Sequence, residues 1–129
     1  MSSKTAPRSQ AVICIDHHGG EIQFLNGAPG VHLKEHAQHT RQHGSSVRSE
    51  HDFFRDVCDA LTPIGEILVV GSHMAQADFR RYVEKHRPAL MPALVGWETI
   101  GHLTPAQVHS RAREFFEKYD RMHGRAHIS

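Results

Sequence analysis

Cysteine is scarce. The 129 residues hold two, Cys14 and Cys58, each within an apolar stretch. That excludes a disulfide scaffold and favours reduced thiols in a cytoplasmic protein. No apolar run approaches the roughly 18 residues needed to cross a membrane, so no membrane partner is expected. The first ten residues are polar, with Lys4 and Arg8 and no apolar centre, and do not read as a signal peptide. Net charge is nearly absent as well: 15 Lys and Arg against 14 Asp and Glu leave +1 with His neutral. Bulk charge therefore makes no case for nucleic acid, and any such case rests on where the charges sit. Histidine is what the chain has in excess, at 13 residues. As a class, imidazoles change charge between pH 5 and 8, so the chain becomes markedly more cationic just below neutrality.

The length suits one domain with a real core, since a chain of this size buries roughly two thirds of its unfolded surface. Residues 1–10 read as a disordered tail, 11–123 as a single α/β domain and 124–129 as a C-terminal tail. Residues 11–15 form a continuous apolar run, the pattern of a buried strand. His17, His18, Gly19 and Gly20 supply a turn, after which Ile22 and Phe24 alternate with polar neighbours as a hairpin partner. Val31 and Leu33 alternate likewise. Residues 36–48 then lose all periodicity.

Phe53, Phe54, Val57, Cys58 and Leu61 fall on one face of a helix beginning at Ser49 and stopping at Thr62 and Pro63. Residues 67–70 read as a fourth, fully buried strand. A second helix from Ser72 to Arg87 turns Met74, Phe79 and Val83 inward, and a fifth strand runs through residues 93–100. Thr104, Pro105 and Gln107 make a helix start of N-cap, N1 proline and third-position glutamine. Val108, Ala112, Phe115, Phe116, Tyr119 and Met122 mark its inward stripe, and Gly124 ends it. The order βββαβαβα implies a mixed five-stranded sheet flanked by three helices, the order of the ribonuclease H-like architecture.

Three stretches carry a family resemblance. They are residues 43–48 with the helix that follows, residues 66–72 with Asp78, Phe79 and Tyr82 beyond, and residues 96–99 leading to the helix at Thr104. Through them the chain, over residues 31–120, resembles the middle domain of archaeal and eukaryotic-type class I peptide-chain release factors, of Pelota-type rescue factors and of bacterial Balon-like hibernation factors. The family's catalytic loop carries Gly-Gly-Gln, whereas the matching positions here read Gln42, His43 and Gly44. The paired glycines that let such a loop approach a reacting ester are missing. The resemblance thus implies a translation-related, non-catalytic protein, with no cofactor, that binds the ribosome at ribosomal RNA or a tRNA acceptor end.

The expected contact is the 36–48 loop, through His36, His39, Arg41, His43, Ser45, Ser46 and Arg48. Between Val31 and Arg48, three Lys and Arg face Glu35 alone. Arginine, hydroxyl and backbone N–H groups are what phosphates are bound by. His32, His36, His39 and His43, spaced 4, 3 and 4, would stack on one face of a helix and suggest zinc, but no cysteine joins them. The alternative from another class is a metal-dependent nuclease or phosphoesterase built on Asp16, with Glu50 or Asp52 and Glu114. Residues 71–73, Gly-Ser-His, lack the carboxylate such a site needs at the end of the fourth strand. A protein-interaction module is the third reading. Cys14, Cys58 and Trp97 read as core. The acid-free tail holding Arg121, His123, Arg125 and His127 reads as a frayed helix end or a phosphate-tracking tail.

Overall fold

The structure, a computed structural model, describes residues 9–16, 19–34 and 45–124. Its elements in chain order are β1 (Gln10–Ile15), β2 (Gly19–Phe24), β3 (Val31–Lys34), α1 (Ser45–Leu61), β4 (Glu66–Gly71), α2 (His73–His86), a 3-10 helix (Pro88–Ala93), β5 (Leu94–Thr99) and α3 (Pro105–Met122). The strands form one mixed sheet in the order β3-β2-β1-β4-β5. β1 pairs antiparallel with β2, and β2 with β3. β4 pairs parallel with both β1 and β5.

Strand patterning explains the layering. Ala11, Ile13 and Ile15 of β1 and Ile67 and Val69 of β4 join Phe53, Phe54, Val57, Cys58 and Leu61 of α1 and Phe79 and Val83 of α2 in one apolar cluster. Val12, Leu68 and Val70 point the other way and pack with Val108, Ala112 and Phe116 of α3. Two helices thus cover one face and one covers the other. Because β4 is central and buried on both faces, its sequence is a continuous apolar run rather than an alternation.

Polar ties close the ends. The Gln10 amide donates to Glu66 Oε1 at 2.9 Å and to Asp120 Oδ1 at 3.1 Å, joining β1, β4 and α3 at one end of the sheet. At the other end Gly71, with φ of 150°, lies so close to β1 that a Cβ there would meet the Ile15 carbonyl oxygen. Ser72 then caps α2, its hydroxyl accepting from the Ala75 N–H at 3.2 Å.

Several expectations are corrected. β1 begins at Gln10, inside the stretch assigned to the tail. α1 begins at Ser45, four residues before Ser49, because a polar first turn satisfies helix geometry while leaving no apolar periodicity to read. Met74 and Met122 are 59% and 75% exposed rather than inward. The buried residues of α2 are Ala75, Gln76, Phe79 and Val83, and Met74 stands one residue outside that line. On α3 they run Val108, Ala112, Phe116, Asp120, and two residues beyond Asp120 is roughly 200° round the helix. Among the described residues no helix is long and apolar enough to cross a membrane.

Candidate functional site

His36, His39, Arg41 and His43 lie outside the described residues, while Ser45, Ser46 and Arg48 belong to the first turn of α1 rather than to a loop. The segment they bracket leaves the edge strand β3 and enters a helix whose later turns, through Phe53 and Phe54, are anchored in the core. His32 stands on β3, so the four-histidine stack on a single helix does not form as spaced.

The carboxylates singled out for metal chemistry are scattered. Asp16 builds the β1–β2 turn: its Oδ1 accepts the Gly19 N–H at 3.0 Å, and its own N–H donates to the Gly19 carbonyl at 3.0 Å. Asp52 pairs with Arg55 along α1 at 3.5 Å. Glu114 is on α3, across the sheet from α1. Among the described residues, no group of three His, Cys, Asp or Glu side chains is placed to hold a metal.

The structure does bring together a group that periodicity does not single out. His51 of α1 and Tyr82 and His86 of α2 form a triangle of rings over Phe54. Their centroids are 5.4 Å (His51–Tyr82), 5.6 Å (His51–His86) and 4.6 Å (Tyr82–His86) apart. They line an open cleft of about 160 Å³ whose other walls are Glu50, Asp78, Arg81 and Lys85. The grouping follows from helix spacing: Asp78, Tyr82 and His86 recur every four residues on α2, and α1 lies against that face.

Around the cleft the surface is laced with ion pairs. Arg81 meets Asp78 at 3.2 Å, Arg80 meets Glu84 at 3.1 Å, and Arg87 bridges from α2 to Asp59 on α1 at 2.8 Å. Exposed pairs of this kind contribute only about 0–1 kcal/mol each and serve more to fix side-chain positions. Arg87 holds its proton more tightly than usual, chiefly through its hydrogen bond to Asp59. The Tyr82 phenol is pushed above its ordinary range, first by burial and then by Cys58 and Asp59, with Arg87 and Arg55 opposing. It therefore stays a neutral donor at physiological pH. Trp97, expected in the core, is half-buried on β5, packed near Phe79 with the Arg80 guanidinium 5.4 Å from its ring centre.

Both thiols are free, and burial raises the pKa of each. Burial is the largest influence on each, followed at Cys14 by Asp16 and Glu21, while at Cys58 it outweighs the opposing Arg87, so neither is poised as a thiolate. No protein-family model matches the chain, and no curated protein matches it.

Proposed function

We propose that this chain is a non-catalytic, cytoplasmic, RNA-contacting protein of translation. Its ribonuclease H-like domain engages the ribosome, at ribosomal RNA or a tRNA acceptor end, through residues 36–48. The observation that supports this best is the junction between β3 and α1. From Val31 to Arg48 three Lys and Arg stand against one acid: Lys34 closes β3, Arg41 lies in the link, and Arg48 is in the first turn of α1, a helix fixed by Phe53, Phe54 and Val57. A polar segment held at both ends by rigid elements is the usual setting for a contact loop. The sheet order β3-β2-β1-β4-β5, with two helices on one face and one on the other, is compatible with the release-factor resemblance.

The test is co-sedimentation with ribosomes across a salt series, comparing wild type with the Arg41→Ala/Arg48→Ala double variant. Removing two phosphate contacts should make the slope of log affinity against log salt shallower by roughly 1.4–1.8, taking the single-strand and duplex coefficients as limits. A double variant with unchanged affinity and slope overturns the assignment of these residues.

A further inference from the structure

We infer that the cleft between α1 and α2 binds one amino-bearing pyrimidine nucleotide: the base packs against Tyr82 and His86, whose rings are tilted 38° to each other, with His51 standing at 64° and 63° to them at its edge, and its phosphate is held by Arg81 and Lys85. This extends the RNA-contact reading but stands on different residues.

Three features converge. The first is the rings themselves. Where aromatic groups merely cement two helices they are buried, as Phe54 and Phe79 are directly beneath, with centroids 5.5 Å apart. The layer above is different: Tyr82 is half-buried while His51 and His86 are exposed, so ring surface faces water. Aromatic surface left open beside cations is what single-stranded nucleic acids stack on.

The second is charge. Arg81 has a side chain 73% exposed and anchored by Asp78, so it presents its remaining donors outward, and Lys85 follows one helical turn later. The charged groups facing the two imidazoles are Glu50 from α1 and Asp78, Arg81 and Lys85 from α2, with Arg55, Asp59 and Arg87 acting behind Tyr82. Arg81 and Lys85 offset the two carboxylates of the cleft, Glu50 and Asp78.

The third is the pair of carboxylates. Glu50 and Asp78 would repel a bare anion, but a carboxylate accepts well from an exocyclic amine such as cytosine N4. A flat ring, an anion and an amine are therefore all matched by one ligand class. Size points the same way. Sites for drug-sized ligands measure roughly 300–1,000 Å³, so an open cleft of about 160 Å³ takes a single base.

The experiment is a titration of isotope-labelled full-length protein, followed by the ring resonances of His51, Tyr82 and His86. The probes are cytidine 5′-monophosphate, uridine 5′-monophosphate, inorganic phosphate and a six-residue oligocytidine. Cytidine monophosphate should produce saturable shifts at these rings, weakened at least fivefold in Arg81→Ala/Lys85→Ala, whose exposed sites leave the fold intact. Tighter binding of the oligonucleotide than of the mononucleotide assigns the occupant to an RNA strand, and equal binding assigns it to the free nucleotide. Inorganic phosphate matching cytidine monophosphate overturns the stacking, and uridine monophosphate matching it overturns the role of the carboxylates. No saturable shift up to about 10 mM, well beyond a millimolar Kd, overturns the site altogether. Because Arg41→Ala/Arg48→Ala should leave these ring shifts unchanged, failure of the cleft and failure of the 36–48 contact are separable.

Discussion

Two residues show how single atoms set the terms of this fold. Gly71 ends β4 at a positive φ, and any Cβ would run into the Ile15 carbonyl oxygen, which is backbone and cannot step aside. Gly71→Ala combines left-handed strain with overpacking and should cost roughly 1–3 kcal/mol, read as a lower urea midpoint with an unchanged m-value. Cys58 makes the opposite point, a polar atom tolerated because it stays neutral. Burial drives its thiol from the usual 9.0 to about 11, with Arg87 opposing and Asp59 adding to the rise. The unfolded chain ionises near 9, while the native thiol holds its proton, so stability is whole below pH 9 and drains as pH climbs towards 11. At about 1.4 kcal/mol per unit the loss approaches about 3 kcal/mol. Urea melts of wild type and Cys58→Ala at pH 8 and 10.5 check this: the wild type should lose more on alkalinisation than the variant. Parallel losses would show that the native thiol ionises as freely as the unfolded one.

At the scale of elements, the legible parts were those whose cause is local. The α3 start is the clearest case. Thr104, Pro105 and Gln107 predict a capping box, and the structure has both halves. The Gln107 N–H donates to Thr104 Oγ1 at 3.2 Å, and the Thr104 N–H donates to Gln107 Oε1 at 2.8 Å. Thr104→Ala should lower stability by about 1 kcal/mol, visible in thermal melts, whereas Thr104→Ser should recover most of it. The α1 stripe was equally plain, since Phe53, Phe54, Val57, Cys58 and Leu61 are all buried. Features without a local cause were not readable. The bulge where Ile67 pairs with Leu94 but Leu68 pairs with Gly96 depends on two strands meeting. The 3-10 helix Pro88–Ala93 follows directly on the expected end of the second helix at Arg87, in a segment for which the sequence predicts no element before the strand at residue 93. The ring triangle escaped for the same reason: His51 and His86 sit on different helices, and only the packing of α1 against α2 makes neighbours of them. Of the residues named from sequence for RNA contact, the first turn of α1 holds Ser45, Ser46 and Arg48, and no periodicity foretold a helix there.

The whole molecule is organised around two central strands that belong to both of its cores. β1 and β4 send alternate side chains to the α1–α2 face and to the α3 face, so neither layer can loosen without exposing the other. Gln10 reinforces this by binding Glu66 and Asp120 across the same junction. Such a design needs no staple: both cysteines are free, and the largest buried side chains, among them Phe53, Phe79 and Phe116, come from all three helices. The 13 histidines, however abundant, are therefore not expected to hold the fold together through zinc. Thermal unfolding should be a single transition, and EDTA should leave its midpoint unchanged. For a domain of this size about 1 kcal/mol of metal-linked stability would move Tm by roughly 4 °C, so the comparison is sensitive. A fall of several degrees in EDTA, reversed by zinc, would show that histidines outside the two cores carry part of the stability. It would also turn attention back to His36, His39 and His43 as ligands rather than RNA contacts.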